Sequence, residues 1–480
     1  MKKIVVDDGV HIRSDNSTEK MMNHLLIALI PLIIFSFVKN GILPTWSGDN
    51  NLLDVIYPLL IVLTGVITSV GVEALYAKFI LKIYNDKLLD HLKHSYAIFP
   101  GLFIALLMPI TMPLHLIALG TFVGVGFGKL LFGGFGRNVL NPALLGYLFL
   151  FLVFPMMFTS NQYFNKFEIN TISSATPLTT LKGVDYVGSY NELVEPYGGL
   201  TNLFLGFKPG SAAEVSIILC LIALVYLTVF KVIKIKIPLI YVSTVFIITA
   251  AIGFAHNMEI WYPLLSVMSG GLIFGAIFMA TDPVTTPVTN IGQIIFAIML
   301  GIITVLFRYL MPYPEGVMFS ILIMNCLVFV IDRIGARARL DYHKAIIFIS
   351  LPIVLSIAVG VYVSSTLITA GTVMSDPNFK VISKTNDGNF LYYVVTQKCF
   401  YPVKAKITLN NKGVITDILV LENSETFYSS ITEADYLNKL ILNQADLTKL
   451  DTVSGATRTS GGLKKMIDNV LLDYKTNKGA

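Results

Sequence analysis

Between Asn23 and Thr366, apolar runs of up to about 20 residues recur, the length needed to cross a hydrocarbon core about 30 Å thick. Lipid offers no partner for backbone N–H and C=O groups, so such runs are expected as helices. Eleven can be read, near 23–41, 55–77, 97–112, 114–128, 138–158, 214–230, 237–254, 264–281, 291–310, 317–332 and 345–366. Composition agrees. Of 480 residues, 54% are hydrophobic and 14% charged, and the mean hydropathy is +0.71, whereas a soluble domain carries about 25% charge. These figures exclude a soluble enzyme and a disordered chain. The net charge of +5 is spread thinly, which excludes a nucleic-acid partner. The first run does not read as a cleaved signal peptide, because a polar, mixed-charge stretch precedes it and no small-residue cleavage site follows. Cys220, Cys326 and Cys399 lie far apart, with neither metal-ligand spacing nor a disulfide framework.

Lysine and arginine in the loops set the expected orientation. With the N-terminus in the cytoplasm, 17 basic residues fall on that side: Lys2, Lys3, Arg13, Lys20, Lys78, Lys82, Lys87, Lys93, Lys129, Arg137, Lys231, Lys234, Lys236, Arg333, Arg337, Arg339 and Lys344. Only 5 fall on the other: Lys39, Lys166, Lys182, Lys208 and Arg308. The expectation is a multi-pass protein of the cell membrane, with a cytoplasmic segment 1–22, a transmembrane domain 23–335, a junction with an eleventh, tethering helix at 336–370, and an extracytoplasmic tail 371–480. The tail has another texture. Tyr392–Thr396, Val403–Thr408 and Val414–Leu421 alternate apolar and polar residues around a turn at Asn410–Gly413, the period-2 pattern of strands. Helical patterns follow near Glu433–Leu442 and Gly461–Leu472. The fold class expected is therefore a bundle of about ten membrane helices plus one tether, carrying a small α+β domain outside.

A heptapeptide occurs nearly twice. Asn170-Thr171-Ile172-Ser173-Ser174-Ala175-Thr176 lies in the long loop between runs five and six, and Asp451-Thr452-Val453-Ser454-Gly455-Ala456-Thr457 lies in the tail. Both end in Ser-x-Ala-Thr, and both fall on the same side of the membrane by the charge count. Small side chains leave the threonine hydroxyl sterically open, and successive N–H groups near a turn can cradle a phosphate. Ordinary turns and N-caps have the same composition. A second copy on one side of the membrane argues against that plainer reading.

Asp451–Thr457, continued by Arg458-Thr459-Ser460, resembles the motif at which bacterial flavin transferases join FMN to threonine through a phosphoester. The tail, from about 380 to 475, resembles the FMN-binding domain of RnfG, of the Rnf electron-transport complex, and of NqrC, of the sodium-translocating NADH:quinone oxidoreductase. Glu425-Thr426 resembles that domain's Glu-Thr element, with Phe427 where a small residue or proline is usual. The membrane part, roughly 20–335, resembles RnfD and NqrB of the same two complexes. The likeness runs through Gly133–Asn138, Asn141-Pro142-Ala143, Leu205-Gly206 with Pro209-Gly210-Ser211, Glu214, Ser216 and Met279–Thr285. The resemblance implies covalent FMN on Thr457 and on Thr176, with Asp451, Ser454, Gly455, Ala456, Ser173, Glu425 and Thr426 around the attachment points. It leaves room for a further, non-covalent flavin. The implied partners are other members of an Rnf-type complex, a flavin transferase and the bilayer. The membrane copy departs from the motif at Asn170 and Ser174.

Two carboxylates fall in or beside apolar runs. Asp282 ends the eighth, within Ala280-Thr281-Asp282-Pro283-Val284-Thr285-Thr286-Pro287, where two prolines would break a helix and free carbonyls for an ion. Glu73 lies in the second run. Both read as members of an ion path or, more plainly, as a helix cap and an interhelical hydrogen bond or pair with Lys78. Gly120, Gly124, Gly126 and Gly128 lie in an apolar run with no strand before them, which favours close helix packing over a nucleotide loop. Three functions stay open: a redox component of an ion-translocating complex, a stand-alone membrane flavoprotein passing electrons to extracellular acceptors, and a channel or carrier with a binding tail. The threonines are attachment points and not turnover nucleophiles.

Overall fold

The computed structural model describes residues 17–43, 52–84, 86–159, 176–183, 186–212, 216–311, 316–339, 342–367, 379–387, 390–399, 402–410, 413–423, 428–444, 453 and 457–477. The chain forms two compact units, Met1–Ala370 and Gly371–Ala480.

In the first unit every expected apolar run falls on helix, but among the described residues only six helices are long and apolar enough to cross a membrane alone. They are Thr18–Ile42, Leu52–Phe79, Lys236–Ala255, Asn290–Leu310, Val317–Arg339 and His343–Thr366. A seventh is the pair Trp261–Met268 and Leu272–Met279, bent by 64°. The others, Ile98–Leu107, Leu114–Leu130, Pro142–Val153 and Ile217–Val229, are shorter. Ile98–Leu107 has 10 residues, about 15 Å of helix at 1.5 Å per residue, or half a hydrocarbon core. The expected count of about ten full spans is thus not reached among the described residues: four of the expected runs fold as these shorter apolar helices. Chain chemistry explains where they stop. Met108 is extended and Pro113, also extended, precedes Leu114. Asn141 accepts from the Ala143 N–H across 3.0 Å, and Pro142 stands where its missing N–H costs nothing.

The eighth run breaks elsewhere than the prolines suggest. Pro283 and Pro287 interrupt no helix; they lie in the connection between Met279 and Asn290. The break is at Ser269–Gly271, where Gly270 takes φ +65°, a conformation favouring glycine. Among the described residues three helices also carry a π turn, at Val38–Ile42, Gly126–Leu130 and Gly275–Met279.

Packing between helices cannot rely on exclusion from water, since lipid is as apolar as leucine; close backbone approach and polar contacts take over. A Cβ on Gly101 would overlap the Gly65 carbonyl, and one on Gly124 would lie 2.5 Å from the Pro142 carbonyl. Gly120 and Gly146 make the same kind of seam. The close-packing reading holds for Gly120, Gly124 and Gly128, whereas a Cβ on Gly126 would meet open space. Tyr241 joins three helices through Thr304 Oγ1 at 2.6 Å and Ser320 Oγ at 3.2 Å.

The second unit is an antiparallel four-stranded meander, β1 Phe379–Asn386, β2 Phe390–Lys398, β3 Pro402–Asn410 and β4 Ile415–Asn423, in that order across the sheet. Strand β1 escaped the sequence reading because Lys380 and the polar run Ser383–Asn386 interrupt the apolar alternation. Alternation puts Val403, Ala405, Ile407 and Leu409 of β3 inward. Helices Tyr428–Glu433, Tyr436–Leu442 and Thr457–Asn477 supply the rest of the core. In the last, Leu463, Met466, Ile467 and Val470 form one buried stripe at helical spacing. The β3–β4 turn has Gly413 at φ +78° and its N–H bonded to Asn410 O at 2.9 Å.

Candidate functional site

Thr457 is the first residue of the 21-residue helix Thr457–Asn477. Val453, four residues earlier, donates its N–H to Ser460 Oγ across 3.1 Å, which holds Val453 against the first helical turn. Thr459 and Ser460 are buried. Gly462 lies against Cys399, where a Cβ would overlap Sγ, while a Cβ on Gly461 would meet open space. The first N–H groups of a helix have no partner within it and carry the positive end of its dipole. Those groups and the open ground above Gly461 suit a phosphate next to residue 457, so this part of the chain fits the group its motif implies. Burial pushes the phenol of Tyr428, two residues after Thr426, above its ordinary pKa. Asp451, Ser454, Gly455, Ala456, Glu425 and Thr426 lie outside the described residues, as does the Thr457 side chain.

Thr176 is placed differently. Its hydroxyl accepts from the Thr179 N–H at 3.3 Å and lies 3.2 Å from Thr179 Oγ1, capping the short helix Pro177–Gly183. Only 4% of Thr176 is exposed. Ser173 and the rest of the 170–175 stretch lie outside the described residues.

Beneath that short helix is the break at Ser269–Gly271, and three buried cations gather about it. Arg308 donates from Nη1 to Ser266 O at 2.6 Å and from Nη2 to Ser269 O at 3.0 Å. Lys208 donates to Met268 O, and Lys39 to Lys208 O at 2.5 Å. The helix ending at Met268 thereby has its freed carbonyls and its negative dipole end satisfied. Three of the five basic residues counted to the outer side are thus interior hydrogen-bond donors.

Glu73 pairs with Lys129 and not with Lys78. The Lys129 ammonium donates to Glu73 Oε2 at 2.8 Å and to Ser95 O at 2.6 Å. Lys129 sits on the π turn Gly126–Leu130, whose extra residue turns it inward; Lys78 lies over the Phe79 ring. Asp282 makes a local turn, its carboxylate accepting from the Val284 N–H at 3.3 Å and Thr285 Oγ1 at 3.0 Å. It faces a cleft that it shares with Lys129, Tyr96, Phe103, Phe135 and Asn138. Asp282 and Lys129 therefore share one cavity, although Glu73 stands behind Lys129. Among the described residues no cluster of three metal-ligating side chains occurs, and the three cysteines are free thiols.

Residues 5–340 match the NQR2, RnfD, RnfE family. The chain belongs to that family. In this NQR2, RnfD, RnfE family member, residues 401–472 also match the FMN-binding domain. The D subunit of the proton-translocating ferredoxin:NAD(+) oxidoreductase complex of Clostridium ljungdahlii is 34% identical over 332 residues, 68% of this chain and 93% of that one. The D subunit of the Na(+)-translocating ferredoxin:NAD(+) oxidoreductase complex of Acetobacterium woodii is 33% identical over 332 residues, 69% and 93%. The B subunit of the Na(+)-translocating NADH-quinone reductase of Chromohalobacter salexigens is 33% identical over 241 residues, 49% and 57%. The expected fusion of an RnfD-like membrane domain with an FMN-binding domain is borne out.

The sequence reading of this NQR2, RnfD, RnfE family member missed three interior groups, Lys129, Arg308 and Asn325, and the half-buried Asp332. Asp332 ties the loop after Asp282 to the helix Val317–Arg339, accepting from the Val288 and Thr289 N–H groups at 3.0 and 2.9 Å and from Thr289 Oγ1 at 2.8 Å. Asn325, its amide oriented by its partners, donates to Thr285 O at 3.2 Å and accepts from the Asn141 N–H at 3.2 Å. It joins the two loops that carry the family likeness. An asparagine inside an apolar run was the available signal.

Proposed function

We propose that this protein is the membrane flavoprotein of an Rnf-type, ion-translocating electron-transport complex, with covalent FMN on Thr457 and Thr176 and a cytoplasmic N-terminus. One observation carries the reading: a single chain joins the NQR2, RnfD, RnfE family domain to an FMN-binding domain whose motif ends at the first residue of a long helix. Bound FMN would supply one- and two-electron transfer on the outer face. Thr457 supplies the ester oxygen, and the first turn of its helix supplies N–H donors to the phosphate. Asp451, Ser454, Gly455 and Ala456, with Glu425 and Thr426, present the threonine to a flavin transferase, and Ser173 does so in the membrane copy. Other members of the complex deliver and remove electrons. Glu73 and Asp282 belong to the ion path; Glu73 Oε1 is buried with no partner among the described residues, which leaves an acceptor for a cation or proton. The aromatic cleft at Lys129 and Asp282 is the place for a further, non-covalent flavin.

The test is in-gel flavin fluorescence of denatured protein from cells with a flavin transferase. Wild type fluoresces, Thr457→Ala is reduced, and Thr457→Ala with Thr176→Ala is dark. Fluorescence in the double variant overturns the attachment sites. Asp282→Asn keeps both labels and lowers ion-coupled electron flow in the assembled complex; undisturbed coupling removes Asp282 from the path.

A further inference from the structure

The Thr176 hydroxyl cannot be reached in the fold described above. Its oxygen already accepts the Thr179 N–H, Thr179 Oγ1 donates back to Thr176 O at 2.7 Å, and the residue is 4% exposed. The helix it caps is held down over the broken membrane span. Leu178 is 2% exposed and packs on Gly270, where a Cβ would lie 2.7 Å from Leu178 Cδ1 and 3.3 Å from Arg308 Nη2. Tyr186, just beyond the helix, donates to Arg308 O at 2.5 Å, and its own carbonyl accepts from Tyr262 at 3.1 Å. Lys182 donates to Met311 O at 3.2 Å. A group-transfer enzyme has to bring a phosphorus atom into contact with the attacking oxygen, which burial of this kind forbids.

We infer that Thr176 is a latent acceptor: it takes its flavin only while the helix Pro177–Gly183 that it caps is lifted from the Ser269–Gly271 break, and docking of that helix closes the site to the transferase. The inference rests on the proposal that Thr176 carries FMN. In the transfer, a bond forms between Thr176 Oγ1 and the FMN phosphorus of a flavin dinucleotide. The pyrophosphate P–O bond breaks, and the hydroxyl proton leaves with the nucleoside monophosphate. No electrons change hands. Arg308 acts as a positioning residue, since its guanidinium holds the break to which Leu178 docks.

The experiment uses the full chain carrying Thr457→Ala, so that only Thr176 can be labelled. Made in cells with transferase, it fluoresces in the gel; a dark band there refutes flavin on Thr176 itself, and the inference with it. The same chain is then made without transferase, purified folded in detergent, and incubated with transferase and flavin adenine dinucleotide. The expected result is at least tenfold slower labelling than that of Thr457 in a Thr176→Ala chain treated alike. Leu178→Ala and Arg308→Gln, each eluting as a single species, speed post-folding labelling of Thr176 severalfold, and Arg308→Lys does so less. Equal rates at the two threonines in the folded protein overturn the inference. So does a failure of both loosening variants to change the rate in protein that stays monodisperse and still labels when made alongside the transferase.

Discussion

Lys129 and Glu73 meet at 2.8 Å with 2% and 0% of their side chains exposed, and they stand 56 residues apart in the chain. Breaking such a pair strands one buried charge, at a cost of about 3–5 kcal/mol. Glu73→Leu and Lys129→Met should each lower the thermal midpoint of the detergent-solubilised protein sharply. The double variant, which leaves no stranded charge, should recover most of the loss. Additive losses would show that the two side chains do not act as a pair.

The seam between Gly65 and Gly101 has no room for a methyl group, whereas Gly71, in the same helix as Gly65, faces open space. Gly101→Ala should destabilise by about 1–3 kcal/mol through overpacking against backbone. Gly71→Ala should be neutral within about 0.5 kcal/mol. Melting curves of the two variants side by side decide it, and similar midpoints would refute the close approach.

Asp332 satisfies three donors of the loop that follows Asp282. Asp332→Ala leaves them without a protein acceptor and should cost about 1–3 kcal/mol, with faster proteolysis between Asp282 and Thr289. Asp332→Asn keeps one oxygen and should lose less. If proteolysis is unchanged in Asp332→Ala, the loop is held by other contacts.

Ser460 holds the Val453 N–H, so it fixes the approach to Thr457 without touching the attachment oxygen. In a Thr176→Ala background, Ser460→Ala should reduce covalent flavin severalfold. The core around Leu463 and Met466 should melt as before. Full labelling of Ser460→Ala would show that the loop does not need this bond.

For the proposed topology, a thiol placed at Asn410 should react with an impermeant maleimide on intact cells, and one at Arg339 should not. The reverse pattern would invert the orientation.

Much of the helical framework was legible because an apolar run near 20 residues in length has few other fates. The half-length of Ile98–Leu107 was signalled only by Pro109 and Pro113, because the apolar run continues past Pro109 to Met112. Glu73 was recognised as costly, but its nearest cation in sequence, Lys78, concealed the partner supplied by another helix. Arg308 and Lys208 were read as loop charges because the sequence places them at run ends; the fold turns both toward carbonyls released by the break at Ser269–Gly271. In the tail, alternation revealed three strands and missed β1, where Lys380 and Lys384 dilute the pattern. The paired heptapeptides were plain in the sequence. That Thr176 would lie buried as a cap was not, because burial depends on Gly270, some 90 residues on.

The π turn at Gly126–Leu130 has one further consequence, for chain length. Such a turn holds one residue more than an α turn, so removing a single residue there can restore a continuous regular helix. Because the extra residue is taken up within that one turn, the helix beyond it keeps its face, and only the side chains inside the turn are re-aimed. Lys129 lies in the turn at Gly126–Leu130 and would lose its aim on Glu73, while the loop bearing Arg137 and Asn138 would keep its direction. The turn at Gly275–Met279 stands in the same way before the loop of Asp282. A one-residue gap at either place is therefore absorbed locally, whereas the same gap in a regular α turn would rotate everything beyond it by about 100°.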